Sequence, residues 1–195
     1  MAGGVGSRFW PMSKSSFPKQ FHDVLGNGQT LLQLTANRFN KICPKENIYI
    51  VTNKNYKSII EQQLPYVSAS QILLEPCMRN TAPCIAYAAY KIHSKNPNAK
   101  LIIAPSDHLI NKKEAFEKTI NTALEQTDNG EYLITIGIKP HRPDTGYGYI
   151  QFEEGFEGID KSIKKIKTFT EKPPKEKAIE FINSGDFYWN SGMFI

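Results

Sequence analysis

The sequence predicts an α/β protein built on a doubly wound, mostly parallel sheet, with a smaller lobe towards its C-terminal end. Three observations point there. Short apolar runs of strand length alternate with amphipathic stretches of helical period, the pattern of βαβ units with right-handed crossovers. The early apolar runs lead into loops dense in glycine or charge, as expected where strand tips meet a ligand. After Ile138 the texture changes: Gly, Pro and Tyr crowd together, and short strands and one helix follow.

The elements come in this order. A glycine-rich segment, Gly3-Gly4-Val5-Gly6, precedes a helix predicted over 31–42. A strand follows at 48–51, a helix at 56–64, a strand at 72–74 and a helix at 81–93. Next come a strand at 101–104 and a helix at 113–126, whose Ala115, Phe116, Ile120, Ala123 and Leu124 recur at helical spacing. A strand at 132–138 ends the core, so the first part spans 1–138. The second part, 139–195, holds strands at 149–152 and 163–169, a helix at 175–183 and the start of a strand in Gly192-Met193-Phe194-Ile195. A glycine loop is normally aimed by a preceding strand, and the last strand is only begun. The chain therefore reads as a fragment of a longer protein.

Composition narrows the function classes. Hydrophobic residues make up 40% and charged residues 22% of the 195 positions, which excludes a disordered chain. No apolar run approaches a membrane span, and the N-terminus has no signal-peptide pattern. The three cysteines, Cys43, Cys77 and Cys84, form no CxxC pair, which argues against a disulfide framework or a zinc site and makes a reducing, cytoplasmic setting the default expectation. The net charge of +5 comes almost wholly from scattered lysines, the sign of a solvated basic surface rather than a nucleic-acid footprint. Such a surface still attracts small phosphorylated substrates. Neither a nucleic-acid nor a membrane partner is expected.

Several loops carry chemistry. In Gly3-Gly4-Val5-Gly6-Ser7-Arg8, successive backbone N–H groups can face one anion, and Arg8 can clasp a phosphate with two parallel hydrogen bonds. The segment is neither a Walker loop nor a good dinucleotide fingerprint, and a merely flexible terminus is the competing reading. Lys19, set between Pro18 and apolar anchors, is either a point charge for a phosphate or an ordinary turn lysine. Asn80 or Thr81 would cap the helix at 81–93, whose N-terminus can also greet a ligand beside Arg79. Asp107 follows an apolar run directly; it either holds Mg²⁺ against phosphate oxygens or, like Ser106, caps a helix. In the second part, Thr145-Gly146-Tyr147-Gly148-Tyr149, Glu171-Lys172 and Trp189-Asn190-Ser191-Gly192 offer hydroxyl- and charge-binding groups that also suit bare turns and aromatic packing. Cys77 and Cys84 read as small apolar fillers.

Seven ordered blocks span almost the whole chain: Ala2 to Pro11; Pro18-Lys19-Gln20-Phe21; Glu75-Pro76 with Arg79-Asn80-Thr81-Ala82-Pro83; Ala104-Pro105-Ser106-Asp107-His108; Pro143 with Thr145 to Ile150; Phe169 with Glu171-Lys172-Pro173; and Trp189 to Phe194. Together they resemble the sugar-nucleotide pyrophosphorylases, and the Arg-Asn-Thr-Ala-Pro and Ser-Asp-His blocks resemble their guanylyltransferase branch. The resemblance implies a Rossmann-like nucleotidyltransferase fold with a sugar-binding lobe. It implies transfer of a guanylyl group from GTP to mannose 1-phosphate, giving GDP-mannose and pyrophosphate by in-line attack on the α-phosphorus, with Mg²⁺ as cofactor.

The same resemblance assigns roles. Gly3, Gly4, Gly6, Ser7 and Arg8 would hold the triphosphate, with Arg8 on the leaving pyrophosphate. Lys19 would bridge the α-phosphate and the sugar phosphate. Glu75, Asn80 and Thr81 would lie near guanine and ribose, and Asp107 would coordinate the metal. Gly146, Glu171 and Asn190 would read the sugar hydroxyls, and Lys172 would meet the sugar's phosphate. The family's opening strand would lie before Met1 and a second metal-sharing Asp beyond Ile195, so the 195-residue piece alone is expected to turn over poorly. A homodimer is an arrangement open to the full-length protein. Three alternatives stand beside this reading: a related enzyme using another base or sugar, a catalytically silent homologue, and a nucleic-acid binder.

Overall fold

The structure is a computed structural model, and it describes residues 1–6, 9–156 and 158–195. The chain divides into two compact units, Met1–Glu117 and Lys118–Ile195. Its fold class is α/β, as the alternation predicts.

In the first unit, helix α1 (Leu31–Arg38) begins at a full capping box: Thr30 Oγ1 accepts from the Gln33 backbone N–H, and the Gln33 side chain accepts from Thr30 N–H. It ends earlier than the predicted 42. The chain turns instead, with Ile42 and Cys43 N–H groups both bonding to the Phe39 carbonyl, ahead of Pro44. Strand β1 (Ile50–Thr52) and strand β2 (Ile72–Leu74) pair in parallel, Ile50 opposite Ile72, and helix α2 (Lys57–Gln63) lies between them in sequence as the crossover. Helix α3 (Thr81–His93) and helix α4 (Lys113–Gln126) fall on the predicted residues.

The expected strand at 101–104 does not form. A strand needs a ladder on at least one side, and within 101–104 only Ile103 makes a β-bridge. Met1 N donates to the Ala104 carbonyl at 2.8 Å, Ser106 N–H to the Met1 carbonyl at 3.1 Å, and Ala2 N–H to the Val51 carbonyl at 2.8 Å. Beside this segment lies a cavity of about 430 Å³ bounded by β1, α1, α3 and residues 101–104. The segments that lead into the loops of interest thus run side by side: β2, β1, Met1-Ala2 and 101–106.

The second unit is built on an antiparallel sheet in the order β3-β6-β4-β5. Its strands are β3 (Thr135–Ile138), β4 (Gly148–Glu153), β5 (Lys165–Glu171) and β6 (Phe187–Phe194). Of residues 132–138, which the sequence alone assigns to the parallel sheet, Thr135–Ile138 pair antiparallel with β6 instead, Thr135 opposite Phe194. The sequence shows only the last part of β6, because Asn190, Ser191 and Gly192 break its apolar character. Its burial nonetheless alternates residue by residue, as a strand with one core face requires. Helix α5 (Lys175–Ser184) stops at Gly185, which takes the left-handed φ of 81° that glycine adopts without strain. Tyr149, Ala178, Phe187 and Trp189 form the core, closed by Phe181 stacked on Phe187 at 4.0 Å. No helix among the described residues is long and apolar enough to cross a membrane.

Candidate active site

The glycine loop of the first unit is held from below by two buried polar side chains. Gln20, 4% exposed, donates to the carbonyls of Ala2 (3.0 Å) and Gly4 (2.8 Å). Ser13, 2% exposed, donates to the Val5 carbonyl and accepts from Lys19 N–H at 3.1 Å. Gly6 takes φ 61°, and a Cβ there would lie 2.6 Å from Ser13 Oγ and 3.1 Å from Lys19 Cβ. Only glycine fits this approach. The carbonyls of Ala2, Gly4 and Val5 are thus tied inward, and the Gly6 carbonyl accepts from Phe9 N–H at 3.0 Å.

Lys19 begins a short 3₁₀ turn, Lys19–Phe21, directly after Pro18. Its Nζ lies 4.0 Å from the Phe9 ring centroid and 3.8 Å from Asp107 Oδ2. The Lys19 side chain is 18% exposed and that of Asp107 44%, so the carboxylate remains open to a further cation. Asp107 is not a helix cap, because α4 starts only at Lys113. His108 Nε2 lies 3.9 Å from Asp107 Oδ1, and burial, the largest cause, lowers the His108 pKa. Arg38 Nη2 donates to the His108 carbonyl at 2.8 Å.

Glu75 leaves the end of β2 and approaches the glycine loop: a Cβ on Gly3 would meet Glu75 Oε2 at 3.0 Å. Cys84 packs with Val51 and Leu73 in a buried apolar cluster, as a small filler would, whereas Cys77 is exposed. Burial, then the Glu75 charge, pushes the Cys84 thiol up to about 11, and the thiol hydrogen-bonds to Glu75. Asn80 sits at the N-cap of α3 but makes no side-chain cap bond, contrary to the capping expected of it or Thr81. Its φ of 66° with ψ of −161° is a conformation almost reserved for glycine. A strained, exposed amide at a helix N-terminus faces outward with its polar atoms uncommitted to the helix.

In the second unit, Gly148 and Glu171 are directly opposite in the β4–β5 ladder. A Cβ on Gly148 would lie 2.7 Å from Glu171 Oε2 and 3.9 Å from Asn190 Nδ2. Lys172 follows at φ 43°, its Nζ 2.6 Å from Glu171 Oε1. The Asn190 oxygen accepts from Thr135 Oγ1 and Gly192 N–H, which orients its amide nitrogen. The Gly146 N–H donates to Asp144 Oδ1 at 2.8 Å, and that bond, then Arg142, holds the Asp144 carboxyl below its ordinary range. Arg142, His141 and Tyr147 surround Trp189 at 5.0–5.3 Å.

The structure therefore brings Gly3 to Glu75, Gly6 to Lys19, and Lys19 to Asp107 in one unit, and Glu171, Lys172 and Asn190 together in the other. A Cβ on Gly4 would meet no atom within 4 Å, and Thr81 opens α3. Ser7 and Arg8 lie outside the described residues. Sequence reasoning misses Ser13, Gln20 and Arg38 as supports and Gly148 as the glycine against Glu171. Gly148 has a signal, since it alternates with Gly146 in one motif, but only strand register tells the two apart. No group of three or more His, Cys, Asp or Glu placed to hold a metal occurs among the described residues. A cation here would have one carboxylate, Asp107, and would draw its other ligands from phosphate and water, which is how Mg²⁺ is commonly bound.

The family described as Nucleotidyl transferase matches residues 1–195. The chain is 41% identical over 200 residues to a mannose-1-phosphate guanylyltransferase of Salmonella montevideo, covering 100% of this chain and 41% of that protein. It is 38% identical to the alginate biosynthesis protein AlgA of Pseudomonas aeruginosa, covering 40% of it. The chain thus spans about two fifths of the length of these relatives, 41% and 40%. A solved structure described as mannose-1-phosphate geranyltransferase from Thermus thermophilus superposes with a TM-score of 0.87 at 32% identity, over 100% of this chain and 55% of that one.

Proposed function

The chain belongs to the nucleotidyl transferase family, and on that premise we propose that it is the substrate-binding part of an enzyme making GDP-mannose and pyrophosphate from GTP and mannose 1-phosphate. The observation that carries this reading is the Lys19–Asp107 pair, 3.8 Å apart at the foot of the buttressed glycine loop. A cation and a carboxylate on one anion-binding loop suit a nucleoside triphosphate with its divalent metal.

In the reaction, a phosphate oxygen of mannose 1-phosphate attacks the α-phosphorus of GTP. The new P–O bond forms as the bond to the β-phosphate oxygen breaks, and pyrophosphate leaves. Little covalent work falls to the protein; it aligns groups and offsets charge. The backbone N–H groups of Gly3, Gly4 and Gly6, with Ser7 and Arg8, take the triphosphate. Lys19, held by its own N–H on Ser13, presents its ammonium to the α-phosphate. Glu75, Asn80 and Thr81 serve the guanine and ribose. In the second unit, Glu171 and Asn190, with Gly146, read the sugar hydroxyls, and Lys172 takes the sugar's phosphate. Mg²⁺ fits Asp107, where it would supply charge neutralisation between phosphate oxygens. A cytoplasmic setting is the one this reading implies.

The test is pyrophosphate release by the full-length protein with a panel of nucleoside triphosphates and sugar 1-phosphates. Preference for GTP with mannose 1-phosphate is expected; a different preferred pair changes the substrates, and silence with tight GTP binding marks a non-catalytic homologue. Asp107→Ala is expected to lower metal-dependent turnover by about 10²-fold or more with the melting temperature little changed. Activity like the wild type's would take Asp107 out of the site.

A further inference from the structure

We propose that Arg38 is a positioning residue for the Asp107 turn, fixing the carboxylate where it can share a divalent cation with a nucleotide's phosphates. The inference rests on the nucleotide reading of the first unit and extends it to a side chain buried beneath the turn.

Arg38 is the last residue of α1 and only 8% exposed. A guanidinium has five N–H donors and loses strong hydration when buried, so it is usually well paired inside a protein. This one is not. Nη2 donates to the His108 carbonyl at 2.8 Å, while Nη1 is buried without a hydrogen-bond partner. The group lies 5.6 Å from the Phe116 ring centroid, and burial lowers its pKa. An apolar side chain would fill the same space beside Phe116 without that desolvation.

What an apolar side chain would not do is hold the His108 carbonyl. The Arg38 bond joins a helix to a turn 70 residues away in sequence. It completes a set of anchors on three consecutive residues. Ser106 N–H is bound by the Met1 carbonyl, Asp107 faces Lys19 at 3.8 Å, and His108 is bound by Arg38. Each anchor comes from a different segment, so the turn is fixed from three directions. A single carboxylate that must share a cation with phosphate oxygens needs such fixing, because Mg²⁺ tolerates little departure from octahedral geometry. The unpaired Nη1 is the cost of placing an arginine there for one bond.

The test is calorimetry of GTP binding to the full-length protein, once in EDTA and once with Mg²⁺; the ratio of the two Kd values reads the metal's contribution. Wild type, R38M, R38K, D107N and the R38M/D107N double variant are compared. R38M is expected to reduce the ratio by about fivefold or more, while its Kd in EDTA stays within about twofold of wild type. R38K is expected to recover part of the ratio, and the double variant to match D107N. Equal weakening with and without Mg²⁺, with a lower melting temperature, would make Arg38 merely structural and overturn the proposal. A wild-type ratio in R38M alongside a lost ratio in D107N overturns the role of Arg38 alone. A wild-type ratio in D107N removes the metal reading of Asp107 and this inference with it, as does absence of GTP binding by the wild type. Should R38M not fold, R38K decides: a ratio lowered by about twofold or more supports the proposal, and a wild-type ratio ends it.

Discussion

At Gly148 one added methyl group would meet the Glu171 carboxylate at 2.7 Å. That is inside any tolerable contact, and the neighbour is a group assigned to the sugar. Gly148→Ala is therefore expected to raise KM for the sugar 1-phosphate by roughly tenfold, with GTP affinity unchanged. Steady-state kinetics on the full-length protein check this, and an unchanged KM would separate Glu171 from sugar recognition. At this scale the sequence offers candidates: Lys19, Asp107, Glu171 and Asn190 stand out by residue type after an apolar run or inside a motif, each beside an ordinary turn, cap or packing role. Ser13, Gln20 and Arg38 do not. Their importance lies in which backbone atoms they reach, and a polar side chain gives no sign of that until the chain is folded.

Helix α3 shows the same division among elements. Its ends match the sequence reading, because Pro83 suits a first turn and the Ala-rich body propagates well. The capping at its N-terminus does not match. Asn80 spends no side-chain bond on capping and takes a φ of 66°. Holding a non-glycine residue there costs about 1–3 kcal/mol. Asn80→Gly is expected to raise stability by about 1 kcal/mol and to weaken GTP binding at the same time. A thermal melt and a GTP titration give the two signs; a gain in both would show that the amide does not serve the nucleotide. The strand expected at 101–104 is absent for a different reason. Apolar, β-branched residues favour extension, but a strand exists only where a neighbour supplies the ladder. Residues 132–138 read as a strand from sequence, yet the sheet they join is not legible there, since pairing partners are not written in local composition.

For the whole molecule, pH offers a test of how the first unit is buttressed. The Cys84 thiol ionises near its ordinary value of 9.0 when unfolded and at about 11 when folded. The fold favours the neutral thiol, so this contribution is intact below pH 9.0 and is lost as pH rises towards about 11. Cys84→Ala is expected to flatten the alkaline fall in melting temperature over that window. An unchanged slope would assign the fall to other groups. The sequence by itself determined the fold class, the order of most elements and the charged residues available for phosphate chemistry, because periodicity, caps and residue type are local properties. Only the tertiary structure decided that the second unit is an antiparallel sheet, that Gly148 rather than Gly146 backs Glu171, and that Lys19 and Asp107 stand 3.8 Å apart. Those facts depend on register and on hydrogen bonds between residues far apart in the chain, where no local preference reaches.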